Sequence, residues 1–136
     1  MKKDMGGAAH ALALAQLILD LNLPLQLRVL IPAVENAVSG ASFRPQDILI
    51  SRKGLSVEIN NTDAEGRLVL GDALSYASED QPDLIVSLAT LTGAARVALG
   101  PQLAPFYTNQ DATSDILMQA GKNSRDPLWQ CPFWRG

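Results

Sequence analysis

The stretch Val57-Glu58-Ile59-Asn60-Asn61-Thr62-Asp63-Ala64-Glu65-Gly66-Arg67-Leu68 decides the fold of this chain. Val57 to Asn60 reads as a strand, and Leu68 to Leu74 begins a helical period. Between them stand Asp63, Glu65 and Arg67, two carboxylates and a guanidinium at i, i+2 and i+4. The charged triplet thus falls at a strand-to-helix turn, and the ends of strands are where open α/β sheets bind ligands. In an extended segment alternate side chains point the same way, so the three are expected to face one space. Paired carboxylates repel unless a cation lies between them or one takes up a proton. A hard divalent metal resolves that conflict. The arginine adds a planar positive fork for a carboxylate-like or tetrahedral anion. An isolated Asp-x-Glu pair is ordinary on a solvated surface; its place at this turn is what gives it weight.

Outward from the turn, helices alternate with apolar strands. Gly6 to Leu21 predicts a helix rich in Ala and Leu, stopped near Asn22 and Pro24. Gly6-Gly7 at its start would let the backbone approach a neighbour closely. Leu25 to Ile31 and Asp83 to Ala89 read as buried strands. Residues 32–47 read as loop, broken by Gly40 and Pro45. Ile48 to Ile50 and Leu55 to Ile59 predict short strands around a turn at Lys53-Gly54. Gly66 to Ala77 predicts the next helix, Thr92 to Leu99 a short helix or turn, Pro105 to Thr108 a strand, and Thr113 to Lys122 a helix capped by Asp111, Thr113 or Ser114. The pattern is that of an α/β fold, a mixed, largely parallel sheet flanked by helices.

Composition narrows the function. At 136 residues the chain is one domain or part of one, and 47% hydrophobic content predicts a sizeable core. A net charge of -3 without a basic run argues against nucleic acid. The apolar run from Ala8 to Leu23 is too short and too polar to span a bilayer, so no membrane partner is expected. Met1-Lys2-Lys3-Asp4 makes a poor signal peptide. One cysteine fits a reducing, cytoplasmic location. One His and one Cys exclude a zinc site of the Cys/His kind, so a metal here is held mainly by oxygen. Asp4, just before the Gly-Gly helix start, reads as a capping carboxylate on residue type alone.

Asn61 to Leu68, NTDAEGRL, resembles the signature of the M17 leucyl aminopeptidases, or cytosol aminopeptidases. Asp4-Met5-Gly6-Gly7, Glu35-Asn36 with Ser39-Gly40 and Arg44-Pro45-Gln46-Asp47, and Ala89-Thr90-Leu91-Thr92-Gly93-Ala94 are similar to further family segments, in family order. Gln46 stands where the family usually has glycine, which puts the backbone geometry of that turn in question.

The resemblance implies a two-metal aminopeptidase releasing N-terminal residues, with a leucine-like preference. It makes Asp4, Asp63 and Glu65 metal ligands and Arg67 the catalytic residue that holds a bicarbonate general base. It makes Leu91 and Gly93 backbone partners of the peptide substrate, and Met1, Thr90 and Gly93 the lining of the first side-chain pocket. The implied cofactors are two divalent metal ions, Mn2+ or Zn2+, with Mg2+ and Co2+ as alternatives. The implied partners are peptide substrates and further copies in a homo-oligomer, a hexamer in the family. Upstream family ligands, a lysine and an aspartate, have no counterpart here. The expectation is therefore a single segment, 1–136, forming part of a catalytic domain and inactive by itself. A rival reading makes the chain a non-catalytic scaffold or assembly piece. A magnesium-dependent phosphoryl-transfer enzyme is disfavoured, because no Gly-rich phosphate loop with a following lysine is present.

Overall fold

The computed structural model describes residues 2–134. The chain divides into two compact units, Met1–Leu91 and Thr92–Gly136.

The first unit begins with α1 (Gly6–Asp20). Its Ala/Leu run favours helix, and Asn22 ends it in the left-handed region at φ 50°, with the Leu23 amide bonded to the Ile18 carbonyl. Asparagine tolerates that conformation better than most residues. An antiparallel hairpin follows, β1 (Ile48–Ile50) paired with β2 (Ser56–Glu58), in register Ile48↔Glu58, Leu49↔Val57, Ile50↔Ser56. Its turn closes through Gly54, at φ +83°, whose amide bonds the Ser51 carbonyl. Beyond the hairpin the Ile59 amide bonds the Asp47 carbonyl and the Gln46 amide bonds the Ile59 carbonyl. Ile59, 3% exposed, is the buried hydrophobic residue of the described chain. The backbone then enters a 3-10 turn, Thr62–Ala64, and α2 (Glu65–Ser78).

Two expectations are corrected here. Leu25 to Ile31 and Asp83 to Ala89 belong to no strand among the described residues. Leu25, Leu27, Val29 and Ile31, alternate positions of one face, are all exposed, as are Leu84, Ile85, Val86 and Leu88. Apolar composition signals that a segment wants cover, but not which backbone lies in register to pair with it. For the same reason the expected sizeable core is not formed among the described residues, and many large apolar side chains, those of α1 and of these two runs among them, lie exposed.

A charged cluster ties part of the first unit together. Arg28 and Arg52 stack on the Tyr76 ring at 4.1 and 4.3 Å from its centroid. Arg52 forks onto the two Glu79 oxygens at 2.7 and 2.9 Å, and Arg28 pairs with Asp80. The hydrogen bond and charge of Arg52 hold the Glu79 carboxyl below its ordinary pKa.

The second unit contains α3 (Ala94–Leu99), β3 (Ala104–Phe106), α4 (Asp111–Ser124) and β4 (Leu128–Gln130). β3 and β4 pair in parallel, joined through α4, the arrangement of an α/β crossover. α4 runs beyond its predicted span at both ends, and its N-cap, Gln110, makes no side-chain capping bond. Gly121 is buried there: a Cβ on it would lie 2.8 Å from the Asp126 carbonyl oxygen. Trp129, Phe133 and Trp134 are exposed.

Candidate functional site

The strand-to-helix reading of the signature holds, but its local geometry differs from expectation. Thr62–Ala64 is a 3-10 turn and Glu65 is the first residue of α2. In helical backbone, successive side chains rotate by about 100°, so residues two apart point to nearly opposite sides. Asp63, Glu65 and Arg67 therefore do not share a face as they would in a strand.

Two asparagines shape this turn. The Asn61 side-chain oxygen accepts from the Asp63 amide at 2.9 Å, and the Asn61 carbonyl accepts from the Ala64 amide at 3.1 Å. The Asn36 amide donates to the Thr62 carbonyl oxygen at 3.3 Å. The Asn61 contact has a local sequence signal, since Asn side chains favour their own backbone two residues on. The Asn36 contact spans 26 residues and has none.

Glu65 is half-buried, and its Oε2 atom is fully buried with no hydrogen-bond partner. A buried carboxylate oxygen without a donor bears its desolvation cost uncompensated, although the first turn of a helix favours negative charge. Asp63 and Arg67 are exposed, and their charged groups make no hydrogen bond or ion pair among the described residues.

Asp4 is not a helix cap. The N-cap of α1 is Met5, without a side-chain bond, and Asp4 Oδ1 instead accepts a hydrogen bond from Thr90 Oγ1 at 3.3 Å. Close packing accompanies that bond. A Cβ on Gly7 would lie 2.3 Å from the Leu88 carbonyl oxygen, and one on Gly6 would lie 3.0 Å from the Thr90 methyl carbon. The close approach expected of Gly6-Gly7 is thus realised against residues 88–90. Leu91, the next residue, places its side chain 3.2 Å from where a Gly66 Cβ would sit. Thr90 and Leu91 therefore bridge the starts of α1 and α2.

No group of three or more His, Cys, Asp or Glu placed to hold a metal ion exists among the described residues. The expected convergence of Asp4, Asp63 and Glu65 on one point is not formed among the described residues. Gly93, expected in the substrate pocket, is the N-cap of α3 in the second unit. Met1 lies outside the described residues.

No helix of the described residues is long and apolar enough to cross a membrane. Among solved structures, the chain is similar to a cytosol aminopeptidase from Coxiella burnetii, with 55% identity and a TM-score of 0.90, covering 97% of this chain and 29% of that one. It is also similar to a mutant of tomato leucine aminopeptidase, with 42% identity and a TM-score of 0.87, covering 99% of this chain and 27% of that one. The mixed α/β fold is thus that of these aminopeptidases. A probable cytosol aminopeptidase of Syntrophotalea carbinolica is 46% identical over 134 residues, 98% of this chain and 27% of that protein. The chain spans about a quarter of the length of the curated relatives it matches. Residues 1–136 match the catalytic domain of the cytosol aminopeptidase family, Peptidase_M17, and the chain belongs to that family.

Proposed function

We propose that this chain carries part of the active site of a metal-dependent aminopeptidase acting on apolar N-terminal residues such as leucine. The observation that carries the reading is the buried, partnerless Oε2 of Glu65 at the start of α2, inside the family signature. An oxygen in that state suits a divalent cation. The donor set of Asp4, Asp63 and Glu65 is all oxygen, which fits Mn2+ or Mg2+ and admits Zn2+ or Co2+. When bound, two such ions would supply Lewis acidity toward the peptide carbonyl.

The chain's own residues have separate tasks. Asp4, Asp63 and Glu65 would hold the cations. Arg67, with its guanidinium free among the described residues, would bind an anion such as bicarbonate in the orientation a general base requires. Leu91 and Gly93 would bind peptide backbone, with Met1, Thr90 and Gly93 lining an apolar pocket. Assembly into a homo-oligomer in the cytoplasm belongs to the same reading. The open apolar faces favour, as a second reading, a chain whose role is assembly alone.

Mn2+ titration and leucine amide hydrolysis, on the wild-type chain and on Glu65→Gln, separate the two. Metal should bind the wild type and bind at least about tenfold more weakly to the variant, with little hydrolysis by the chain alone. Equal Mn2+ affinity in both proteins would reject the aminopeptidase site and leave the assembly reading.

A further inference from the structure

We propose that the apolar runs 25–31 and 83–89 form a docking surface for the part of a cytosol aminopeptidase that lies outside the stretch matched here. The partner would supply β-strands and apolar cover. The inference stands apart from the metal reading, since it needs neither a cation nor hydrolysis.

Both the side chains and the backbone of these runs are unmet. Leu25, Leu27, Val29 and Ile31 are exposed. Leu84, Ile85 and Val86 are exposed too, at consecutive positions, which in an extended segment point to both sides. Among the described residues, neither 26–31 nor 83–89 makes a backbone–backbone hydrogen bond. A near-continuous apolar run is the composition of a strand covered on both faces. An unpaired backbone beside it is a template for a further strand.

Surface area decides between a second copy and a larger partner. The chain exposes 11342 Å², whereas a folded monomer of 14.6 kDa exposes roughly 6,900 Å². The excess is about 4,400 Å². An obligate interface buries roughly 2,000–5,000 Å² in total, half of it on each partner. A second copy would therefore leave a large part of the excess open, and would not cover both sides of each run. The relatives have enough chain to do so. The matched stretch is 27% of the Syntrophotalea carbinolica protein and 29% of the Coxiella burnetii chain, so most of each lies outside it.

Amide exchange and reconstitution test the proposal together. Alone, the chain should exchange 26–31 and 83–89 rapidly while α2 stays protected. The probe is the Coxiella burnetii enzyme with its matched 29% removed, the remaining parts co-expressed with this chain carrying an affinity tag. They should co-purify in a fixed ratio, with exchange at both runs slowed at least about tenfold. Val29→Asp and Val86→Asp alter side chains that are already exposed, so α2 of the lone chain should keep its protection. Each would bury a charge in the complex and should lower its recovery at least about tenfold. Ile116→Asp, at an exposed apolar position on α4, should leave recovery unchanged. A lone chain that protects both runs overturns the proposal: as a monomer it closes its own core, and as a dimer it makes a second copy the occupant. Failure to co-purify, a complex whose runs still exchange freely, or equal recovery of all three variants overturns it as well.

Discussion

Residues 48–78 and the runs 25–31 and 83–89 are opposite kinds of folding information. The first stretch is a hairpin, a 3-10 turn and a helix in unbroken succession, closed by bonds between near neighbours. The two runs are more apolar, yet they form no strand among the described residues and leave most of their large side chains exposed. Apolar content alone therefore does not make structure. What the runs do achieve depends on single points of close approach, such as Gly7 against Leu88 and Arg28 against Tyr76.

The sharpest way to break that contrast is to fill one such point. Gly7→Ala drives a methyl into the Leu88 carbonyl, 2.3 Å away, and backbone on both sides leaves little to yield. A stability loss of about 1–3 kcal/mol is expected, read as a lowered urea midpoint. Gly71→Ala is the control from the local stretch. It lies within α2 with nothing within 4 Å of the new Cβ, and a gain of about 0.5–1 kcal/mol is expected. A gain in both variants would mean that α1 does not rest on residues 88–89.

A smaller effect tests where the local stretch begins. Gln46 sits at φ 75°, in the left-handed region, while its amide bonds the carbonyl of buried Ile59. A side chain there costs about 1–2 kcal/mol, partly offset in glycine by its larger unfolded-state entropy. Gln46→Gly should raise stability by about 0.5–1 kcal/mol in thermal unfolding. No change would show that the turn relaxes to suit glutamine.

The smallest expected effect concerns the cluster that tethers the 25–31 run to α2. Arg52 lowers the Glu79 pKa, so the charged pair stabilises the fold above the ordinary glutamate value, roughly 4.3. That contribution is lost as pH falls through the depressed folded value. Glu79→Gln should therefore lower the melting temperature slightly near neutral pH and not at all in strong acid. Added salt should shrink the difference, because both groups are exposed. A difference that survives acid would mean that Glu79 acts through packing.

Legibility in the sequence followed the same division. Helix α2 was readable to within one residue at each end because its period and its turn are local. The Gly6-Gly7 approach was readable because two adjacent glycines at a helix start have few other uses. β4 was missed, as Leu128-Trp129-Gln130 carries no alternation long enough to notice. At the signature, residue types were legible but their directions were not. Alternation was applied to a segment that is already helical, and nothing within NTDAEGRL announces where strand geometry stops. Thr90 on Asp4 and Asn36 on Thr62 were invisible for a simpler reason: pattern has no reach across 86 or 26 residues.

The exposed run from Leu25 to Ile31 also bears on how the polypeptide behaves in concentrated solution. Seven residues with a single charge are the size and character of a segment that recruits copies of itself edge to edge. Pro24 and Pro32 bracket it, and proline at both borders stops a growing intermolecular sheet from extending past the run. The one charge, Arg28, would ordinarily repel an incoming copy, but Asp80 neutralises it and Tyr76 masks it. The tether that anchors the run thus also disarms its gatekeeper, leaving colloidal protection to the two prolines.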